Sequence, residues 1–163
     1  MDIDDYLLPT DGLDWSRLFA SWTWLIPPGT DVQPWLMNRF GDLFWFDADD
    51  RVNWLNVTDG TNDVVADGEE DFLEQLDDEE ALEEWLMVGL VDELREAGTV
   101  AQAGQCHGFK LLPVLGGEYD AENVYTGPLE AYWGTCGDVH RQIDELPDGA
   151  SIEIEIPDPP DAE

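Results

Sequence analysis

Residues 42–57 read Asp42-Leu43-Phe44-Trp45-Phe46-Asp47-Ala48-Asp49-Asp50-Arg51-Val52-Asn53-Trp54-Leu55-Asn56-Val57. Two runs of aromatic and branched residues flank the turn segment Ala48-Asp49-Asp50-Arg51, which is the pattern of an antiparallel hairpin. Thr58-Asp59-Gly60-Thr61 reads as a second turn, and a short strand through Val64-Val65 completes a meander.

Upstream of the hairpin the pattern is helical. Gln33 to Arg39 reads as a helical turn. Asp14 is placed to cap a helix from Trp15 to Trp24, which Pro27-Pro28-Gly29 ends. Residues 1–12 are acidic, contain Pro9 and read as a loose lead-in. Downstream, the period changes from two to three or four. Phe72, Leu73 and Leu76 form the apolar face of a short helix. Leu82, Trp85, Leu86, Gly89, Leu90 and Leu94 form that of a longer one stopped by Gly98. A strand is expected at 108–114, then a helix begun by Pro128 and running to about Leu146. Ile152, Ile154 and Ile156 alternate with Glu153 and Glu155 as a half-buried strand does, and 157–163 reads as a disordered acidic tail. The order predicts an α+β fold: one domain over 13–156, with a small antiparallel meander and helices packed on it.

Composition agrees with a folded core. The chain has 163 residues, 43% of them hydrophobic, with eight Trp and six Phe. Over this core lies a formal net charge of -33, from 39 Asp and Glu against 6 Lys and Arg. Adaptation to high salt, attraction to a basic partner and simple solubility each account for such a charge. It makes nucleic acid a poor ligand, because phosphate binding needs Lys and Arg, and it disfavours anionic membrane likewise. No leader pattern and no long apolar run is present, so the expectation is a cytoplasmic protein with reduced cysteines.

Residues with catalytic or ligating chemistry are few. Cys106, His107, Cys136 and His140 are metal-ligand types, but the adjacent Cys106-His107 pair does not have the usual spacing of paired zinc ligands. Cys136 and His140 share a helix face and are the only sequence-local nucleophile–base pair. Carboxylates are too abundant here for any pair to be diagnostic. Asp47-Ala48-Asp49-Asp50-Arg51 faintly resembles a calcium loop, without its Gly and distal Glu. Gly116-Gly117 is too short for a phosphate loop and reads as a turn. One or two of Trp22, Trp24 and Trp35 are expected at the surface. No catalytic residue, metal ligand or cofactor is assigned.

Several segments recur together in a known order. They are Phe40-Gly41-Asp42-Leu43-Phe44, Val52-Asn53-Trp54-Leu55-Asn56-Val57, Glu84-Trp85-Leu86, Gly104-Gln105-Cys106-His107-Gly108-Phe109-Lys110, Pro113-Val114-Leu115-Gly116-Gly117-Glu118-Tyr119, Gly137-Asp138-Val139-His140-Arg141-Gln142-Ile143 and Leu146-Pro147-Asp148-Gly149. This series resembles the C-terminal domain of bacterial immunity proteins that neutralise type VI secretion DNase effectors. The resemblance implies a non-enzymatic protein whose partner is a cognate effector toxin. Many members also carry a GAD-like N-terminal region, which a chain of this length is too short to hold in full. The expected partner-binding segments are the acidic stretch 67–96, notably Glu79, Glu80, Glu83 and Glu84, and the loop 116–120 with Glu118, Tyr119 and Asp120. The alternatives are a metal-binding or hydrolytic domain built on Cys106, Cys136 and His140, and a salt-adapted scaffold without a toxin partner.

Overall fold

The hairpin is the centre of the sheet. In the computed structural model, which describes residues 3–145, β3 (Leu43–Phe46) and β4 (Val52–Asn56) pair antiparallel with Phe44 opposite Trp54. Asp47 builds the turn. Its carboxylate accepts from the backbone N–H groups of Asp49 and Arg51 and from the side chains of Arg51 and Asn53. Its oxygens are thus committed to the turn, and the faint calcium-loop pattern is a capped hairpin. β5 (Thr61–Ala66) adds to β4, β2 (Gln33–Asn38) to β3 and β1 (Leu7–Leu8) to β2. The sheet order is β1-β2-β3-β4-β5, antiparallel throughout.

Two expectations fail here for the same reason. Gln33–Asn38 is a strand and not a helical turn, because pairing with β3 satisfies its backbone. A register shift between Pro34 and Leu36 absorbs the proline that a regular ladder would not accept. Residues 1–12 are not simply a loose lead-in. Ile3–Tyr6 makes a 3-10 turn, Leu7–Leu8 pairs with β2, and Tyr6 and Leu8 are buried. Leu7–Leu8 takes its structure from a partner distant in sequence, whereas Gln33–Asn38 takes it from β3 across the short connection 39–42.

The helices follow the predicted pattern with shifted ends. α1 (Trp15–Phe19) is capped by Asp14 as expected but stops after five residues, and the chain continues in turns that bury Trp22 completely. Trp24 and Trp35 are half-buried, so none of the three tryptophans is a surface residue. α2 (Glu69–Gln75) buries Phe72 and leaves Leu73 exposed. The expected long helix is two, α3 (Glu79–Leu86) and α4 (Val88–Glu96), broken at Met87 in the left-handed region with φ 50°. A two-stranded ribbon follows, β6 (Gln105–Phe109) against β7 (Val124–Pro128), three residues earlier than the strand expected at 108–114. α5 (Leu129–Asp144) starts immediately after Pro128. The strand expected at 152–156 and the tail at 157–163 lie outside the described residues.

Packing explains why β3 and β4 are buried almost continuously and do not alternate. One face of the sheet meets α2 and α3. Phe44 lies 5.0 Å from Phe72 and 6.0 Å from Trp85, and Phe72 stacks on Trp85 at 4.7 Å. The ribbon and α5 are tied to the meander by polar contacts. Trp133 donates its indole N–H to the Gly41 carbonyl, the His107 N–H donates to the Arg39 carbonyl, and Thr58 and Tyr132 share a hydroxyl hydrogen bond. Wholly buried Asp42 accepts from the Val57 N–H and the Asn38 amide, whose own oxygen accepts from the Phe40 and Asp42 N–H groups. The buried apolar residues of all these elements form one cluster, so the predicted α+β architecture holds.

Candidate partner-binding cleft

Three parts of the chain converge on a cleft of about 630 Å³. The β4–β5 hairpin supplies Trp54, Asn56, Asp59, Thr61 and Asp63. The α3–α4 corner supplies Glu83, Glu84, Met87, Gly89, Leu90 and Glu93. Tyr119 closes the third side. Strand register explains the first wall: Trp54 pairs with Asp63 and Asn56 with Thr61. The break at Met87 explains the second. It turns α4 away from α3, and the Glu83 carboxylate accepts from the Gly89 N–H at 3.0 and 3.1 Å, satisfying a free amide at the start of α4.

The loop that carries Tyr119 is held rigidly. Asn123 accepts from the Leu111 N–H and donates to the carbonyls of Leu111 and Glu118, while Asp120 accepts from the Asn123 N–H. A Cβ at Gly117 would fall 1.7 Å from the Leu111 oxygen, so only glycine fits that approach. Tyr119 packs edge-on against Phe109 at 5.1 Å and donates to Asp59 at 3.2 Å, yet remains 53% exposed. Burial, then the adjacent Asp59 charge, pushes its hydroxyl up to about 12, so it stays a donor at neutral pH.

The expected partner-binding residues divide between roles. Glu83, Glu84 and Tyr119, named from separate parts of the sequence, meet in the cleft. Glu79 and Glu80 lie in the first turn of α3, where they favour the helix dipole, and do not line the cleft. Asp120 is a turn cap, and Glu118 is exposed with its carbonyl committed to Asn123. Trp54, Asp59 and Asp63 lie outside the segments expected to bind a partner, and Leu90 and Glu93 lie within the expected stretch 67–96 without being named for that role. Strand register and the helix break bring these in. The visible signal for Asp63 was its place on a strand read only as Val64-Val65.

Charge in the cleft is uncompensated. None of Asp59, Asp63, Glu83, Glu84 and Glu93 makes an ion pair among the described residues. The paired arginines, Arg17, Arg51, Arg95 and Arg141, find their carboxylates elsewhere. Arg39 donates to the carbonyls of Asp5 and Ala101.

The Cys and His residues occupy the interior. Cys106 and Cys136 are buried free thiols, and burial pushes both up, away from thiolate. His140 donates its Nε2–H to the Thr58 carbonyl at 2.8 Å, since a carbonyl can only accept, and this fixes the tautomer. His107 pairs with Thr126 through Nδ1, and burial with the nearby Arg39 charge holds it down at about 4. These groups tie elements together. Among the described residues no group of three or more His, Cys, Asp or Glu is arranged to hold a metal ion.

Residues 66–140 match the family model described as T6SS immunity protein Tdi1, C-terminal. The match covers a little under half of the chain and runs from the end of β5 into α5. It contains α2, α3, α4, β6 and β7, and the hairpin at 42–57 precedes it. No curated protein matches the chain. No helix among the described residues is long and apolar enough to cross a membrane.

Proposed function

We propose that this chain is an immunity protein that binds a cognate type VI effector, a basic nuclease, and neutralises it by occluding its surface. The observation that carries this reading is that the region similar to the immunity family supplies most of the acidic cleft: Glu83, Glu84, Met87, Gly89, Leu90, Glu93 and Tyr119 all fall within 66–140. A nuclease must be basic where it holds DNA. An inhibitor with a net charge of -33 is drawn to such a surface and repels the nucleic acid that competes for it. The role is one of binding, because the buried thiols are protonated and the histidines are committed to structural hydrogen bonds.

The test is complex formation with a candidate basic nuclease effector from the same genome. Co-expression followed by size-exclusion chromatography is expected to yield a stoichiometric complex that dissociates more readily as salt is raised. Separate elution of the two proteins at low salt would refute the reading.

A further inference from the structure

We infer that the cleft between the β4–β5 hairpin, the α3–α4 corner and Tyr119 is a receptor for one arginine side chain, presented on a loop of a protein partner. This rests on the effector-binding reading and specifies the chemistry of the contact. Three features select the occupant. The first is concavity: about 630 Å³ is room for a side chain and its flanking backbone, where a flat acidic surface has no such space. The second is uncompensated charge. Five carboxylates line the cleft and no Arg ion pair of the described residues reaches it. The third is the wall itself, where Trp54 and Tyr119 stand with Leu90 and Met87 among the acids.

Carboxylates beside aromatic faces distinguish arginine from lysine. A guanidinium pairs with carboxylates through a planar fork and stacks on aromatic rings. An ammonium is a strongly hydrated point charge that loses more on leaving water. Preorganisation favours the same choice. Glu83 is fixed on the Gly89 N–H, Asp59 on Tyr119 and Asn56, and the Tyr119 loop on Asn123, so little side-chain freedom remains to be lost on binding. Glu84, Glu93 and Asp63 are the acids left to take the guanidinium. A second acidic surface on α2, lined by Glu69, Glu70, Leu73, Glu74 and Asp77, has no aromatic ring and serves as the comparison site.

The experiment titrates isotope-labelled full-length protein with the peptide acetyl-Gly-Arg-Gly-amide at low ionic strength, using the lysine and glutamine versions as controls. The arginine peptide is expected to give saturable NMR shifts at the Trp54 indole N–H and the Gly89 amide. The lysine peptide should bind at least about three-fold more weakly, and the glutamine peptide should leave those signals unmoved. Glu84→Gln combined with Glu93→Gln should weaken the arginine peptide about five-fold, while Glu69→Gln combined with Glu70→Gln leaves it unchanged. Equal response to arginine and lysine, or shifts spread evenly over α2 and the cleft, would overturn the inference. The assay contains no effector, so failure here leaves the immunity reading standing. Peptide uptake without any effector complex would instead sink that reading and keep the arginine site.

Discussion

Asp42 is the residue whose environment most opposes its charge. Burial pushes it from 3.8 up to about 7, although Asn38 and the Val57 N–H favour the anion. Between these values the folded protein keeps a proton that the unfolded chain has lost. Rising pH through this window therefore removes stability, by up to about 4 kcal/mol, and the loss is complete above about pH 7. His107 acts in the opposite sense. Its folded value near 4 lies below its ordinary 6.5, so falling pH between the two protonates the unfolded chain first and destabilises the fold. Asp42→Asn removes only the first effect. The stability of the wild type relative to this variant, measured by urea denaturation, should be greatest at or below about pH 4, shrink as pH rises toward about 7 and level off above it. A difference that stays flat or grows with pH would contradict a raised Asp42. Tyr119 is a residue of the opposite kind, half exposed and making one neutral-to-charged hydrogen bond and one ring contact. Tyr119→Ala should lower stability by about 1 to 2 kcal/mol. The addition of Glu118→Lys should change this little, since the contact to Asn123 is made by the Glu118 backbone. A thermal melt checks both. A collapse of the fold would mean that the loop is structural.

At the scale of elements, α5 offers an internal comparison. A Cβ at Gly137 would fall 2.5 Å from the Ser21 carbonyl oxygen, so α5 and the segment after α1 touch backbone to backbone there. A Cβ at Gly134, one turn earlier, meets nothing closer than the Ser21 hydroxyl at 3.9 Å. Gly134→Ala should therefore stabilise the protein by up to about 1 kcal/mol through helix propensity. Gly137→Ala should destabilise it by about 1 to 3 kcal/mol, because the helix must move away. Chemical denaturation of the two variants decides it, and equal signs would rule out the close approach. The same contrast shows what was legible in the sequence. The hairpin, the Asp14 cap, the Gly98 stop and the Pro128 start are local signals carried by neighbouring residues, and each appears where the pattern places it. The pairing of Leu7–Leu8 depends on a partner distant in sequence, and Gln33–Asn38 is a strand because it pairs with the neighbouring β3, which its own residue pattern does not reveal. The break at Met87 was hidden because apolar spacing continues across it. The candidate cleft shares this division: Glu83, Glu84 and Tyr119 stood out by composition, whereas Trp54, Asp63 and Glu93 reach it through register and the helix corner.

The whole molecule is governed by charge. A formal net charge of -33 on 163 residues repels itself in the compact state more than in the unfolded chain. Salt shortens the Debye length from about 10 Å at 0.1 M to about 3 Å at 1 M. The melting temperature should therefore climb with NaCl over this range and then level off, and a flat response would show that the charges are dispersed well enough not to matter. The same field should speed encounter with a basic effector, while contacts in the cleft should set how long the complex lasts. The immunity role is tested most directly by DNA cleavage, with purified effector nuclease assayed at low salt and increasing amounts of this chain. Cleavage is expected to stop near one equivalent and to return when the added protein carries Tyr119→Ala with Glu84→Lys and Glu93→Lys. Undiminished cleavage in the presence of a large excess of the folded wild-type chain would contradict that role.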